Sequence, residues 1–206
     1  MKINIINDWS QVTLRQYNDL IDIQKNEEYE DLIDKGAAML DILYGIDSMN
    51  IPFTDYQLLI SRLNKLFETE VKTNRTKAAY KVGDREYWLL SNPAEYTTAQ
   101  YVDFSNYNKD NDVVGMLSCV IIPKGHLYMD GYDVEQVKDD IGELSICDAL
   151  GVRDFFVKWS ALSINHSLRF LTRRMMKNKK LTKEQKEQMK DSLKQLKQQM
   201  NTVLSH

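Results

Sequence analysis

Apolar positions recur at helical spacing from the start of the chain. Leu14, Tyr17, Leu20 and Ile21 follow Thr13, a residue whose hydroxyl can accept a backbone N–H as an N-cap, so a short amphipathic helix is expected with Trp9 packed at its start. A second helix is expected from Glu27 to Leu43. Its apolar set is Leu32, Ile33, Ala37, Leu40, Leu43 and Tyr44, and Gly45 is placed to supply the left-handed residue that closes a helix. Pro52 ends the next loop. Thr54 can cap a third helix that turns Leu58, Leu59, Leu63, Leu66 and Phe67 inward.

The period then changes to two. Lys77 to Val82 and Glu86 to Ser91 flank Gly83-Asp84, which reads as a β-hairpin with glycine supplying positive φ in the turn. A lone hairpin is marginal in water, so this one must pack on the helices as a flap or pair with a strand from another chain. After Asn92-Pro93, Thr97 or Thr98 caps a helix through Tyr107. From Asp110 to Ile122 the second half is apolar on all sides (Val113, Val114, Met116, Leu117, Cys119, Val120, Ile121, Ile122), the pattern of a buried helix, and Pro123 stops it. The loop KGHLYMDGYD leads to a further helix from Val134 to Leu144.

The longest stretch is Ser145 to Lys180. Val152, Phe155, Phe156, Trp159 and Leu162 share one helix face and no proline intervenes, so the helix is expected to reach about Asn178. Ser145, with Asp148 three residues on, forms a variant of the capping box. Beyond Lys180, Thr182 with Gln185 opens a last helix. Met189, Leu193, Leu196, Met200 and Val203 form an a/d seam of about two heptads on it. Two heptads are too few for an independent coiled coil, so the seam needs a partner surface, in its own domain or on another subunit. The fold class expected is mainly α: a helical domain over residues 1–180 with one inserted β-hairpin at about 77–91, and an amphipathic C-terminal helix over 181–206.

Two hundred and six residues with scarce Pro and Gly suit one globular domain plus an extension. No apolar run of eighteen residues occurs, so no membrane contact is expected. The opening MKINIINDWSQ lacks an apolar h-region, and no signal peptide is expected. Cys119 and Cys147 lie in apolar contexts and are read as reduced core residues. The net charge of −3 hides a polarity. Residues 1–60 hold eleven acidic and four basic side chains, and residues 153–206 hold four acidic and thirteen basic ones. Each face can simply be solvated, or the acidic end of one copy can meet the basic end of another; head-to-tail contacts of that kind make rings or filaments.

Catalytic chemistry finds no foothold. His126, His166 and His206 lack metal-ligand spacing, and Asp139-Asp140 are adjacent and so point to different sides of a helix. No glycine-rich phosphate loop or nucleophile motif is present. No catalytic, cofactor-binding or metal-binding residue, no cofactor and no small-molecule substrate is therefore assigned. The most pointed polar feature is a basic ridge of Arg169, Arg173, Arg174, Lys177, Lys179 and Lys180, continued by Lys183 and Lys186. Arg169, Arg173 and Lys177 share a helix face. The ridge suits an acidic protein surface ahead of nucleic acid, because no aromatic platform interleaves it. Tyr96, Tyr101, Tyr107, Tyr128 and Tyr132 cluster in the middle third, where core and interface roles both fit.

The segments TTAQYVDFSNY, GHLYMDGYDVEQVKDDI and LSICDALGVRDFFVKW resemble tail-region proteins of tailed bacteriophages. Those include tail assembly chaperone-like and tail or connector proteins of phages of Bacteroidetes, the crAss-like group among them. The matching positions are Tyr101, Asp103, Phe104, Pro123, Tyr132, Asp133, Ala149, Phe155 and Phe156, and DWSQVTLRQYNDL is similar to the opening Trp-x-x-Val-Thr-Leu segment of such proteins. The likeness spans roughly Trp9 to Trp159. It implies a virion structural protein, a subunit of a tail or head–tail connector ring, with partners in further copies of itself and neighbouring virion proteins, and with the basic ridge facing an acidic neighbour or making nonspecific contact with DNA. A tail assembly chaperone absent from the mature particle, and a nonspecific nucleic-acid-binding protein, are the alternatives.

Overall fold

The computed structural model describes residues 4–29, 31–92 and 95–177, and beyond them only the scattered positions 182, 184, 187–188, 191–192 and 194–195; at 160–171 and 174–177 it describes backbone alone. Among these residues the chain is mainly helical, with seven α-helices and one three-stranded sheet. It forms two compact units, Met1–Val152 and Arg153–His206.

In the first unit, a 3₁₀ turn at Trp9–Gln11 leads into α1 (Leu14–Lys25). Thr13 caps α1 in a full capping box with Gln16, satisfying two orphan N–H groups reciprocally. Trp9 is buried. Its indole N–H donates to the Thr69 carbonyl at 2.9 Å, and its ring meets Tyr17 and Phe67 edge-on. This tryptophan thereby ties the start of α1 to the end of α3 (Phe53–Phe67).

Helix α2 (Leu32–Tyr44) starts five residues later than the periodicity implied. Asp31 supplies the cap by accepting from the Ile33 N–H, so residues 27–28 remain in a turn. Leu32 and Ile33 consequently lie outside the core, while Ala37, Leu40 and Leu43 are buried as expected. Gly45 closes α2 with φ 60°. Thr54 does not cap α3: Pro52 holds that position without a side-chain bond, and Thr54 falls inside the first turn. Leu59, Leu63 and Leu66 are buried, but Leu58 is exposed, because the buried stripe takes only one of two adjacent leucines.

The hairpin forms as β1 (Ala79–Val82) and β2 (Arg85–Leu89), with Gly83 at φ 57° in the turn. It does not stand alone. The expected buried helix from Asp110 to Ile122 is instead α5 (Val113–Ser118), followed by β3 (Ile121–Pro123), which pairs antiparallel with β2. Val120, Ile121 and Ile122 are β-branched and buried on every side, so a strand here shows no alternation and cannot be told from a buried helix by period. Pro123 ends the strand at the sheet edge, where its missing N–H breaks no ladder.

Helix α4 (Thr98–Lys109) is capped by Thr97 in a second full capping box, with Gln100. Gln100 is itself buried, and its amide also donates to the Cys119 carbonyl, holding α4 against the end of α5. Helix α6 (Val134–Gly142), capped by Asp133, buries Val137 and Ile141. Helix α7 (Ile146–Lys177) then begins.

The start of α7 is fixed from three sides. Thr13 and Ser145, the residues preceding α1 and α7, form an antiparallel bridge, with the Leu14 N–H donating to Leu144 O at 2.8 Å and the Ile146 N–H to Val12 O at 2.9 Å. Ser145 accepts from the Cys147 N–H. Asp148 is not its capping-box partner: that carboxylate accepts from Asn74 Nδ2 and from Lys77 Nζ, pinning the segment that leads to β1. The Asn74 N–H in turn donates to the Cys147 carbonyl at 2.9 Å. Only glycine fits at 151, where a Cβ would lie 2.1 Å from the Asn74 carbonyl oxygen.

Two stability predictions result. Gly151→Ala forces backbone apart and is expected to cost about 2 kcal/mol or more, because an overpacked site yields only by moving the chain. Thr13→Ala and Thr97→Ala are each expected to cost about 1 kcal/mol, the usual loss on removing a cap. Urea titration followed by circular dichroism checks all three, and Gly151→Ala should rank as the most destabilising.

Candidate functional site

The basic ridge begins on α7. Arg169, Arg173 and Lys177 occupy successive turns, so one helix face holds all three, and Arg173 is exposed. Arg174 is on the same helix, one residue away in rotation; its side chain lies outside the described residues, as do those of Arg169 and Lys177. Lys179, Lys180 and the whole seam of Met189, Leu193, Leu196, Met200 and Val203 also lie outside them. In the second unit, Phe155 and Phe156 pack edge-on at 5.0 Å and Arg153 pairs with Asp154 at 3.0 Å.

The first unit carries a surface that periodicity misassigned. Leu32 is 86% exposed, Phe53 65% and Ile33 49%. Tyr56 links Ile33 and Phe53: its hydroxyl donates to the Ile33 carbonyl at 2.9 Å, and the Phe53 ring stacks on it with centroids 6.2 Å apart, while Leu32 precedes Ile33 in the chain. Beneath them α2 and α3 approach closely, since a Cβ on Gly36 would sit 2.8 Å from both Ile60 and Tyr56. Asp31, Asp34 and Asp55 border these apolar groups and are exposed. Burial raises the Tyr56 phenol above its ordinary value, and the charges of Asp31 and Asp34 add to the rise. The one basic residue of α2, Lys35, does not neutralise the border: its ammonium donates to the Gln24 and Asn26 carbonyls. The signal for this face lay in the sequence as two apolar residues directly after the acidic run at 27–31, and a phenylalanine directly after Pro52.

Leu127 and Met129 in the loop between β3 and α6, and Tyr101 and Val102 on α4, are exposed as well. The loop is tied to α4, where Tyr128 donates to Asp103 at 2.8 Å, and held from within, where Tyr132 accepts from the Met129 N–H and His126 Nδ1 lies 2.9 Å from the Asp130 carbonyl. Met129 adopts φ 59°, unusual for a side chain of its kind. The tyrosine cluster thus divides, with Tyr96, Tyr128 and Tyr132 anchoring backbone or carboxylate internally and Tyr101 facing solvent.

Two polar clusters lie inside. Asp140 is 4% exposed and receives Arg85, the Tyr87 hydroxyl and Gln136, joining β2 to α6. Hydrogen bonding to Asp140 raises the Arg85 guanidinium further, and burial leads the upward shift of the Tyr87 phenol. The second cluster joins Asp103, Tyr128 and Cys119, whose sulfur lies 3.7 Å from the phenol oxygen. Burial pushes the Cys119 thiol up to about 11. A thiol held protonated is a poor nucleophile. Cys147, also free and buried, is shifted the same way by burial. Among the described residues no group of His, Cys, Asp and Glu could hold a metal ion, no helix is long and apolar enough to cross a membrane, and no buried side-chain polar atom lacks a partner.

Comparison with protein-family models, with curated proteins and with solved structures returns no match to this chain.

Asp140→Ala is expected to destabilise the protein by about 2 kcal/mol, since the buried Tyr87 hydroxyl and the part-buried Gln136 amide lose their acceptor while the half-exposed Arg85 returns to water. Chemical denaturation measures it. The Cys119 thiol ionises near 9.0 ordinarily and near 11 in the fold, so the stability it contributes is complete below pH 9 and is lost as pH rises toward 11. Cys119→Ala should flatten that part of the stability–pH curve, and both thiols should react with a disulfide reagent at pH 8 only after unfolding.

Proposed function

We propose that this protein is a virion structural subunit of a tailed bacteriophage, placed in a tail or head–tail connector ring and acting through contacts with other proteins. The observation that carries the reading is the exposed apolar face edged by carboxylates on α2 and α3, in a chain whose last quarter, residues 153–206, is strongly basic. Exposed apolar side chains gathered in one place mark interaction surfaces. Opposite charge at the two ends of the chain favours contact between copies. The phage assignment itself rests on the likeness of the Trp9–Trp159 segments to tail-region proteins. The interior clusters are tied up in holding elements together, which suits a mechanical role.

Removing residues 180–206 is expected to abolish incorporation into particles, read by mass spectrometry of virions purified from a complementation assay. Full-length protein present in stoichiometric amount in purified virions supports the ring subunit. Its absence from mature particles, with tail assembly failing when it is depleted, would support a tail assembly chaperone instead. DNA binding that falls steeply with salt would bring the nucleic-acid reading forward, since each phosphate neutralised releases counterions.

A further inference from the structure

We propose that the α2–α3 face is the docking site for the basic C-terminal segment, residues 178–206, of a second copy of this chain. The inference rests on the reading of the protein as a self-assembling subunit and names the two surfaces that would meet. Leu32 is 86% and Phe53 65% exposed, so a second molecule can cover them. Ile33 and Phe53 flank Tyr56, with Leu32 beside Ile33 in the chain, and the exposed Asp31, Asp34 and Asp55 lie within two residues of them in sequence.

The C-terminal segment matches this face in kind and in order. Its apolar residues Met189, Leu193, Leu196, Met200 and Val203 recur at spacings of four and three, the stripe of an amphipathic helix. Lys190, Lys194 and Lys197 each follow a stripe residue by one position, so on a helix they run as a row of ammonium groups alongside it. An apolar stripe flanked by lysines fits an apolar strip flanked by carboxylates, with burial supplying the attraction and charge setting the orientation. Residues 178–206 hold seven lysines against three acidic side chains. The two surfaces are different patches of one chain, so the contact is heterologous and propagates from copy to copy, closing into a ring where the rotation allows.

The test uses the full chain and two variants. Leu32→Lys with Phe53→Lys alters the face at exposed positions, and Lys190→Glu with Lys194→Glu and Lys197→Glu alters the segment. Light scattering on a sizing column reads assembly, and circular dichroism confirms that both variants fold. The wild type is expected to self-associate at low salt and to dissociate as salt rises, because exposed charge pairs are screened. Each variant is expected to lose about tenfold or more in self-association, as hot-spot substitutions do. An equimolar mixture of the two variants should give a heterodimer and nothing larger, since it offers one intact face and one intact segment. Wild-type assembly that persists in either variant overturns this contact and leaves the subunit reading standing. Two monomeric variants that fail to pair overturn it as well. A wild type monomeric at every concentration also overturns it, and virion mass spectrometry then decides the wider reading independently.

Discussion

Two backbone hydrogen bonds between residues 12–14 and 144–146 are the constraint on which the first unit depends. Val12, Leu14 and Ile146 are almost fully buried, and their peptide groups have no water to turn to. An unpaired buried peptide group costs on the order of 1–3 kcal/mol, so the bridge fixes the pairing of these distant segments strongly. Because Thr13 precedes α1 and Ser145 precedes α7, the bridge sets where both helices begin. Everything between them must then fold as an excursion that returns to this point.

That excursion is tied down by carboxylates used inward. Asp148, in the first turn of α7, holds Asn74 and Lys77 and so anchors the approach to the hairpin. Asp140, on α6, holds Arg85 and Tyr87 and so anchors the hairpin's second strand. Both are shielded from solvent, where charge-assisted bonds are stronger than at the surface. The pairs of Arg15 with Asp139 and Glu143, by contrast, are about half exposed, and such pairs contribute between roughly 0 and 1 kcal/mol.

The same division of labour bears on function. Inside, the carboxylates, phenols and thiols are engaged with one another, and the thiols are kept protonated. Outside, α2, α3 and the loop after β3 leave apolar side chains exposed. Such exposure lowers the free energy of association with another surface. Residues that the hydrophobic pattern assigned to the core at Leu32, Ile33 and Leu58 instead belong to this outer surface.

Local physics alone determined a good deal. The hydroxyl of Thr13, the two-fold periodicity about Gly83 and the absence of proline through α7 each act within a few residues, and each structure forms as its local pattern implies. The tertiary structure decided what those rules leave open. Ile121 and Ile122 became a strand because the hairpin offered β2 as a partner. Asp148 left its expected capping role because Lys77 and Asn74 lie within its reach. A run buried on all sides carries no period, and a carboxylate's partner can sit anywhere in the chain, so neither outcome is encoded in the spacing of neighbouring residues.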